Sequence, residues 1–174
     1  MSTAAADDLS KRIQRLEDIE AIRRLVSRYA YAMDENDLDL TRELFVQNGS
    51  IRWPDEFLHA EGIDAIVNVF RNRFAHPSFH VTHDHLIDFD PDNPDRATGL
   101  LFAHAEAYRD DGHYVVATRY RDVYVRDEGV WRFAERIFEH LYFVPAEEYP
   151  GTLGRRDRIV TPAGRREAHW PDDA

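Results

Sequence analysis

A change of hydrophobic period near His76-Pro77 constrains this chain more than any other feature. Upstream, Ile13, Leu16, Ile19, Ile22, Val26, Tyr29 and Met33 recur at alternating steps of three and four. That spacing predicts one amphipathic helix from about Leu9 to Met33, its stripe widened by Leu25 and Ala30. Ile63, Ile66, Val67, Phe70 and Phe74 predict a second such helix from Ile63 to Phe74. Between them, Asp37 is placed to cap a short helix from Leu38 to Phe45. Asn48-Gly49 signals a turn, and Ile51-Arg52-Trp53 and Phe57-Leu58-His59 read as a small hairpin. Downstream the period becomes strand-like over Phe79–Phe89, Ala97–Tyr108, His113–Arg126 and Val130–Val144. Asp90-Pro91-Asp92-Asn93-Pro94-Asp95, Arg109-Asp110-Asp111-Gly112 and Asp127-Glu128-Gly129 supply the turns between those strands. A run of helices followed by a meander of long strands indicates an α+β fold. Two helices covering one face of a strongly bent sheet leave a conical, mostly apolar pocket, the kind of place ligands occupy.

Composition narrows the function. At 174 residues the chain reads as a single domain. Residues 1–8 read as a disordered N-terminus, 9–144 as the domain, and 145–174 as an irregular tail laid over the body or a neighbouring subunit. There are no cysteines, so disulfides, zinc-thiolate sites, iron–sulfur clusters and thiol nucleophiles are excluded. A net charge of −11 opposes binding to a phosphate backbone, so no nucleic-acid partner is expected. No apolar run reaches the length of a membrane span, and Met1–Asp8 lacks the features of a signal peptide. The expected setting is therefore cytoplasmic. No glycine-rich phosphate loop is present, so no nucleotide cofactor is expected. Ser78 and Thr82 lack an evident oxyanion loop, which argues against nucleophilic catalysis.

The chemistry concentrates in Asp34, at the end of the first helix, and in His80-Val81-Thr82-His83-Asp84-His85 on the first long strand. His83 and His85 are two apart, so an unbroken strand points both to one face and His80 to the other. An imidazole facing a carboxylate in an apolar pocket is an acid/base dyad, the carboxylate orienting the ring and stabilising its charge. The competing reading is an acid at a helix end beside a structural histidine. His83 and His85 with His104 or Glu106 also have the arrangement of a metal site, although the glycine and glutamate pattern of a double-stranded β-helix metal site is absent. Tyr29 on the first helix and Tyr120 on the third long strand are candidates for either core or pocket. On the last strand Arg136, Phe138, His140 and Tyr142 share a face if no bulge intervenes. There Arg136 and His140 are candidate donors to a carbonyl or carboxylate oxygen.

These residues carry a resemblance. Ile13-Gln14-Arg15-Leu16-Glu17-Asp18-Ile19-Glu20-Ala21-Ile22, followed by Leu25, Tyr29 and Asp34, resembles the first helix of the SnoaL-like branch of the nuclear transport factor 2-like superfamily. Thr82-His83, Arg119-Tyr120-Arg121-Asp122 and Gly129-Val130-Trp131-Arg132-Phe133-Ala134-Glu135-Arg136 fit the same pattern. Within that branch the chain looks most like the bile acid 7α-dehydratases, scytalone dehydratase and hexachlorocyclohexane dehydrochlorinase. The resemblance implies a cone-shaped, curved mixed sheet wrapped around a long N-terminal helix (an α+β barrel), no cofactor, and a homo-oligomer, trimer or dimer. It implies Asp34 and His83 as the catalytic pair, with Tyr29 beside them. The relatives' arginine on the last strand falls near His140 here, with Arg136 one alternation earlier.

Together these readings predict a cofactor-independent lyase or isomerase of dehydratase type. Its substrate would be a hydrophobic cyclic compound: a steroid, terpenoid or aromatic polyketide. Asp34 and His83 would be catalytic, and Tyr29, His85, Tyr120, Arg136 and His140 would contact the substrate. Two alternatives stand beside it: a polyketide cyclase using Asp34 alone, and a non-catalytic binding or dimerisation module.

Overall fold

The computed structural model describes residues 3–73 and 77–171. Phe74 and His76, expected at the end of the second long helix, lie outside them. The order is α1 (Thr3–Asp34), α2 (Leu38–Leu44), β1 (Phe45–Arg52), β2 (His59–Glu61), α3 (Ile63–Arg73), then β3 (Ser78–Phe89), β4 (Arg96–Arg109), β5 (Gly112–Asp127) and β6 (Val130–Pro145). A 3₁₀ helix (Ala146–Gly154) and two short strands, β7 (Ile159–Thr161) and β8 (Gly164–Arg166), follow. The sheet runs β2-β1-β6-β5-β4-β3, with β7 on β6 and β8 on β7. It is a mixed sheet: β1 joins β6 in parallel and the long meander is antiparallel. This is the expected α+β architecture.

Helix α1 begins at Thr3, six residues before the expected start. From Ile22 to Met33 its stripe is buried, with Ile22, Leu25, Val26, Tyr29, Ala32 and Met33 in the core. The earlier part of the stripe, Leu9, Ile13 and Leu16, is exposed, because the helix runs beyond the sheet that covers it. Asp18 fastens the helix to the sheet at that point. It accepts from Arg126 Nη2 (2.6 Å), Gln14 Nε2 (3.1 Å) and Trp131 Nε1 (3.2 Å). Burial raises the Asp18 carboxyl, but these donors outweigh it and hold it below the ordinary value. Asp37 caps α2 as expected, its Oδ1 accepting from Leu40 N at 2.8 Å.

Three local expectations shift. Phe45 starts β1 instead of ending α2, and Asn48-Gly49 lies inside β1, where its register with β6 is irregular. The small hairpin forms between Ser50–Arg52 and His59–Glu61, its first strand one residue earlier and its second two residues later than read from the sequence. The Asp127-Glu128-Gly129 turn is as expected, with positive φ at Glu128 (49°) and Gly129 (81°).

The described part of the tail, to residue 171, packs on its own chain. The pairing of β1 with β6 stops at Ile137, which leaves backbone donors and acceptors free along the rest of that edge. The tail takes them. Ile159 pairs with Phe143, Arg158 Nε donates to Leu141 O (2.6 Å), and His169 N donates to His140 O (2.9 Å). Periodicity could not find this, because β7 and β8 are three residues each.

Gly99 sits within β4, where a Cβ would lie 2.7 Å from Tyr124 Oη and 2.9 Å from His85 Nε2. The absent side chain lets those two groups meet across the strand. Gly99→Ala is expected to lower stability by about 1–3 kcal/mol, the usual cost of overpacking. A urea denaturation midpoint equal to that of the parent protein would refute this role.

Candidate active site

Strand β3 has a bulge, and the bulge decides which histidines face inward. Thr82 pairs with Ala103 and His85 with Leu101, so His83 and Asp84 together oppose Phe102. The extra residue reverses the alternation: Ser78, His80 and Thr82 face inward before it, and His85, Ile87 and Phe89 after it. His83 and His85 therefore do not share a face. His83 lies on the exposed outer surface, its Nε2 2.7 Å from His104 Nδ1. The expected pairing of Asp34 with His83 is not the one that forms.

Asp34 pairs with His80. The chain leaves α1 through Asn36, whose φ of 52° is the left-handed geometry that ends helices. This leaves Asp34 in the last turn, facing the start of β3. Its Oδ1 lies 2.6 Å from His80 Nδ1 and accepts from Ser78 Oγ (3.1 Å). Its Oδ2 accepts from the His80 backbone N–H (3.0 Å). An ionised carboxylate only accepts, so Nδ1 carries the proton of that bond, and in the neutral ring Nε2 is then the lone-pair nitrogen. Burial pushes the Asp34 carboxyl up, but the His80 ring, the His80 backbone and Ser78 outweigh it, and the net shift is downward. Asp34 is thus held as the anion.

His80 and Ser78 line a cavity of about 490 Å³. Tyr29 and Met33 of α1, Tyr120 of β5 and Phe138 of β6 form its apolar interior, and Trp53 and His140 stand on the β6 side. Tyr29 and Tyr120 meet edge to face at 6.3 Å. Burial raises both phenols, Tyr120 to about 12 even beside Arg136. Both therefore stay protonated near neutral pH, each keeping an O–H able to donate a hydrogen bond.

Arg136 is not among the lining residues. It is fully buried beneath them and paired with the equally buried Asp122 through Nε (2.8 Å) and Nη2 (2.7 Å). Its guanidinium carbon lies 4.1 Å from the Tyr29 ring centre and 4.3 Å from that of Tyr120. Tyr124 Oη donates to Asp122 at 2.6 Å and lies 3.1 Å from His85 Nε2. Burial lowers His85 to about 4, so it is neutral near pH 7. His85 faces a second, smaller pocket beside Arg23 and Ser27.

Of the residues singled out from the sequence, Asp34 meets the cavity wall through His80, and Tyr29, Tyr120 and His140 line the cavity. His83, His85 and Arg136 do not: His83 faces outward, His85 turns to Tyr124 and the second pocket, and Arg136 is taken by Asp122. The metal grouping is not assembled either: His83 and His85 bond to different partners on opposite faces. His80 and Ser78 were missed. Their two-residue spacing was visible, but a bulge leaves no mark on hydrophobic alternation read from one strand.

The model of the SnoaL-like domain family matches residues 14–137. The chain belongs to that family, within the nuclear transport factor 2-like superfamily. No curated protein matches the chain. Among solved structures, the chain is similar to a type 2 hexachlorocyclohexane dehydrochlorinase (LinA), with 19% identity, 77% of this chain and 92% of that one covered, and a TM-score of 0.71. It is also similar to a putative scytalone dehydratase from Novosphingobium aromaticivorans, with 21% identity, 75% and 88% covered, and a TM-score of 0.68. A third, the Kfla4162 protein from Kribbella flavida, shares 22% identity over 76% and 97%, with a TM-score of 0.68. At these identities the likeness is one of fold. Among the described residues no helix is long and apolar enough to cross a membrane.

Two predictions follow from the buried polar chain. Asp122→Ala leaves Arg136 charged and unpaired in the core, and is expected to cost about 3–5 kcal/mol in chemical denaturation. His85 has a folded pKa of about 4, below its ordinary 6.5. The unfolded chain therefore takes up the proton first, and the His85 contribution, present above pH 6.5, is lost as pH falls toward 4. Denaturation midpoints between those limits should fall less steeply in His85→Gln than in the parent.

Proposed function

We propose that the protein is a cofactor-independent lyase or isomerase of dehydratase type, acting on a hydrophobic cyclic substrate with a carbonyl or enol-type activating group. One observation carries this reading: a histidine oriented by a half-buried carboxylate, standing in the wall of a mostly aromatic cavity. At about 490 Å³ the cavity falls within the usual range for small-molecule sites. The family is one that includes lyases, and a dehydrochlorinase and a dehydratase-like protein share the fold.

In this reading His80 Nε2 takes a proton from the carbon beside the activating group. Asp34 keeps Nδ1 protonated and stabilises the imidazolium that results. Tyr29 and Tyr120 donate to the substrate oxygen on which negative charge builds. In a dehydration the C–H electron pair becomes the new C=C bond as the neighbouring C–O bond breaks. The imidazolium returns the proton to the departing hydroxide, giving water and neutral His80. In an isomerisation the same proton goes back to another carbon. A carboxylate–imidazole pair half-buried in the wall of an aromatic cavity serves no packing purpose, which favours catalysis over a purely structural role.

A cyclase using Asp34 alone is less well supported. That carboxylate accepts three hydrogen bonds and is held below its ordinary pKa, which makes it a weak base. Apolar residues left exposed on α1 (Leu9, Ile13, Leu16) and on β3 (Phe79, Leu86) support a homo-oligomer.

Proton abstraction can be tested without the natural substrate, by following exchange of the acidic C2 protons of 1-tetralone into D2O by NMR. The parent protein is expected to accelerate exchange. His80→Gln and Asp34→Asn should lower that rate by roughly 10²–10⁴-fold, the range for general-base catalysis, while His83→Gln leaves it unchanged. Full exchange activity in His80→Gln would overturn the assignment. Activity lost in Asp34→Asn but kept in His80→Gln would point to the cyclase. No acceleration by the parent would favour a binding module.

A further inference from the structure

The second pocket, of about 340 Å³, lies between α1 and β3 at the β3 bulge, and proton transfer at His80 makes no use of it. It shares no lining residue with the larger cavity. Val26 and Leu101, both buried, give it an apolar base. Its polar lining comes from Arg23 and Ser27 of α1 and from Thr82, Asp84 and His85 of β3.

His85 offers this pocket a fixed acceptor. Asp122 is the anion of a buried ion pair, so it only accepts, and the single Tyr124 hydroxyl proton goes to it at 2.6 Å. His85 Nε2, 3.1 Å from the same Tyr124 oxygen, is therefore the donor in that contact. The ring is neutral near pH 7, so its other nitrogen, Nδ1, keeps its lone pair. Nδ1 has no hydrogen-bond partner among the described residues, and it is not sealed from solvent. The Asp122–Tyr124 pair thus fixes the tautomer that turns an acceptor to the pocket.

Two opposite charges complete the lining. Arg23 and Asp84 are exposed, and among the described residues neither side chain has a hydrogen-bond or ion-pair partner, including the other. The Arg23 guanidinium and the Thr82 hydroxyl suit a carboxylate. Asp84, the His85 lone pair and Ser27 Oγ suit an ammonium. Ser27 Oγ already donates its proton to Arg23 O at 3.2 Å, which leaves it an acceptor. A simple anion meets Asp84 and a lone pair here, and a simple cation meets Arg23. A small molecule carrying both charges satisfies them all, and Val26 and Leu101 suit an aliphatic group on it.

We propose that this second pocket binds an apolar α-amino acid, with its carboxylate on Arg23 and Thr82, its ammonium on His85 Nδ1 and Asp84, and its side chain on Val26 and Leu101. The site stands apart from the Asp34–His80 pair and does not rest on the lyase reading.

The test uses the ¹⁵N-labelled full chain near neutral pH and follows the histidine ring nitrogens by long-range ¹H–¹⁵N NMR. L-leucine is compared with 4-methylpentanoate, which lacks the ammonium, and with 3-methylbutylamine, which lacks the carboxylate. In the parent, leucine is expected to move the His85 Nδ1 resonance saturably and to bind at least about tenfold tighter than either analogue. Arg23→Gln should remove the advantage over the amine, and Asp84→Asn should reduce the advantage over the carboxylate. Both side chains are exposed, so neither change threatens the fold. An unmoved Nδ1 at millimolar leucine would overturn the proposal, as would equal affinity for the three compounds or unchanged ratios in both variants. A shift of the His80 ring in place of the His85 ring would assign leucine to the larger cavity and overturn it too. His80→Gln should leave leucine binding intact. Failure of the dyad therefore shows in the exchange rate of the ketone, and failure of this site in the His85 resonance.

Discussion

The buried ion pair between Arg136 and Asp122 is the interaction on which the interior depends. Both side chains are fully removed from water, where a lone charge would be prohibitive. Two hydrogen bonds and the carboxylate's further acceptance from Tyr124 offset that cost. The pair in turn places aromatic rings. Tyr29 and Tyr120 lie over the guanidinium on the cavity side, and Phe133 packs 4.2 Å from it. The cavity floor is therefore two phenols resting on a neutralised charge, rather than a cation offered to the substrate. In the sequence Asp122 and Arg136 each look like one more polar residue in an alternating strand, and only their opposition across β5 and β6 as Asp122↔Arg136 reveals the pair.

The second constraint is parity along β3. One inserted residue sends His80 inward and His83 outward, and turns His85 toward Tyr124. Gly99 keeps the way clear for that last contact. A strand of alternating character tolerates the insertion because its outer face is itself apolar in places, with Phe79 and Leu86 exposed. Composition therefore gives no sign of where inside and outside exchange.

The third is the unfinished edge of β6. Strand β1 is shorter than its partner, and the tail supplies the missing pairing. In doing so it brings His169 and Trp170 against the sheet, Trp170 Nε1 donating to Glu139 O at 2.9 Å. An edge that would otherwise invite another chain becomes the support of one cavity wall.

Much of the architecture was legible in the amino-acid sequence. Helical and strand periods, the Asp37 cap, the Gly129 turn and the α+β order are local properties, written in neighbouring residues and read from their spacing. Asp34, Tyr29, Tyr120 and His140 were legible as candidates because their residue types and positions on predicted elements already limit where they can point. Which histidine meets Asp34, whether Arg136 faces substrate or aspartate, and whether the tail is loose or paired were decided only in the tertiary structure. Each depends on registry between segments far apart in the chain. One bulge reverses a strand's faces without altering its composition, and a buried charge is known only by the partner that neutralises it.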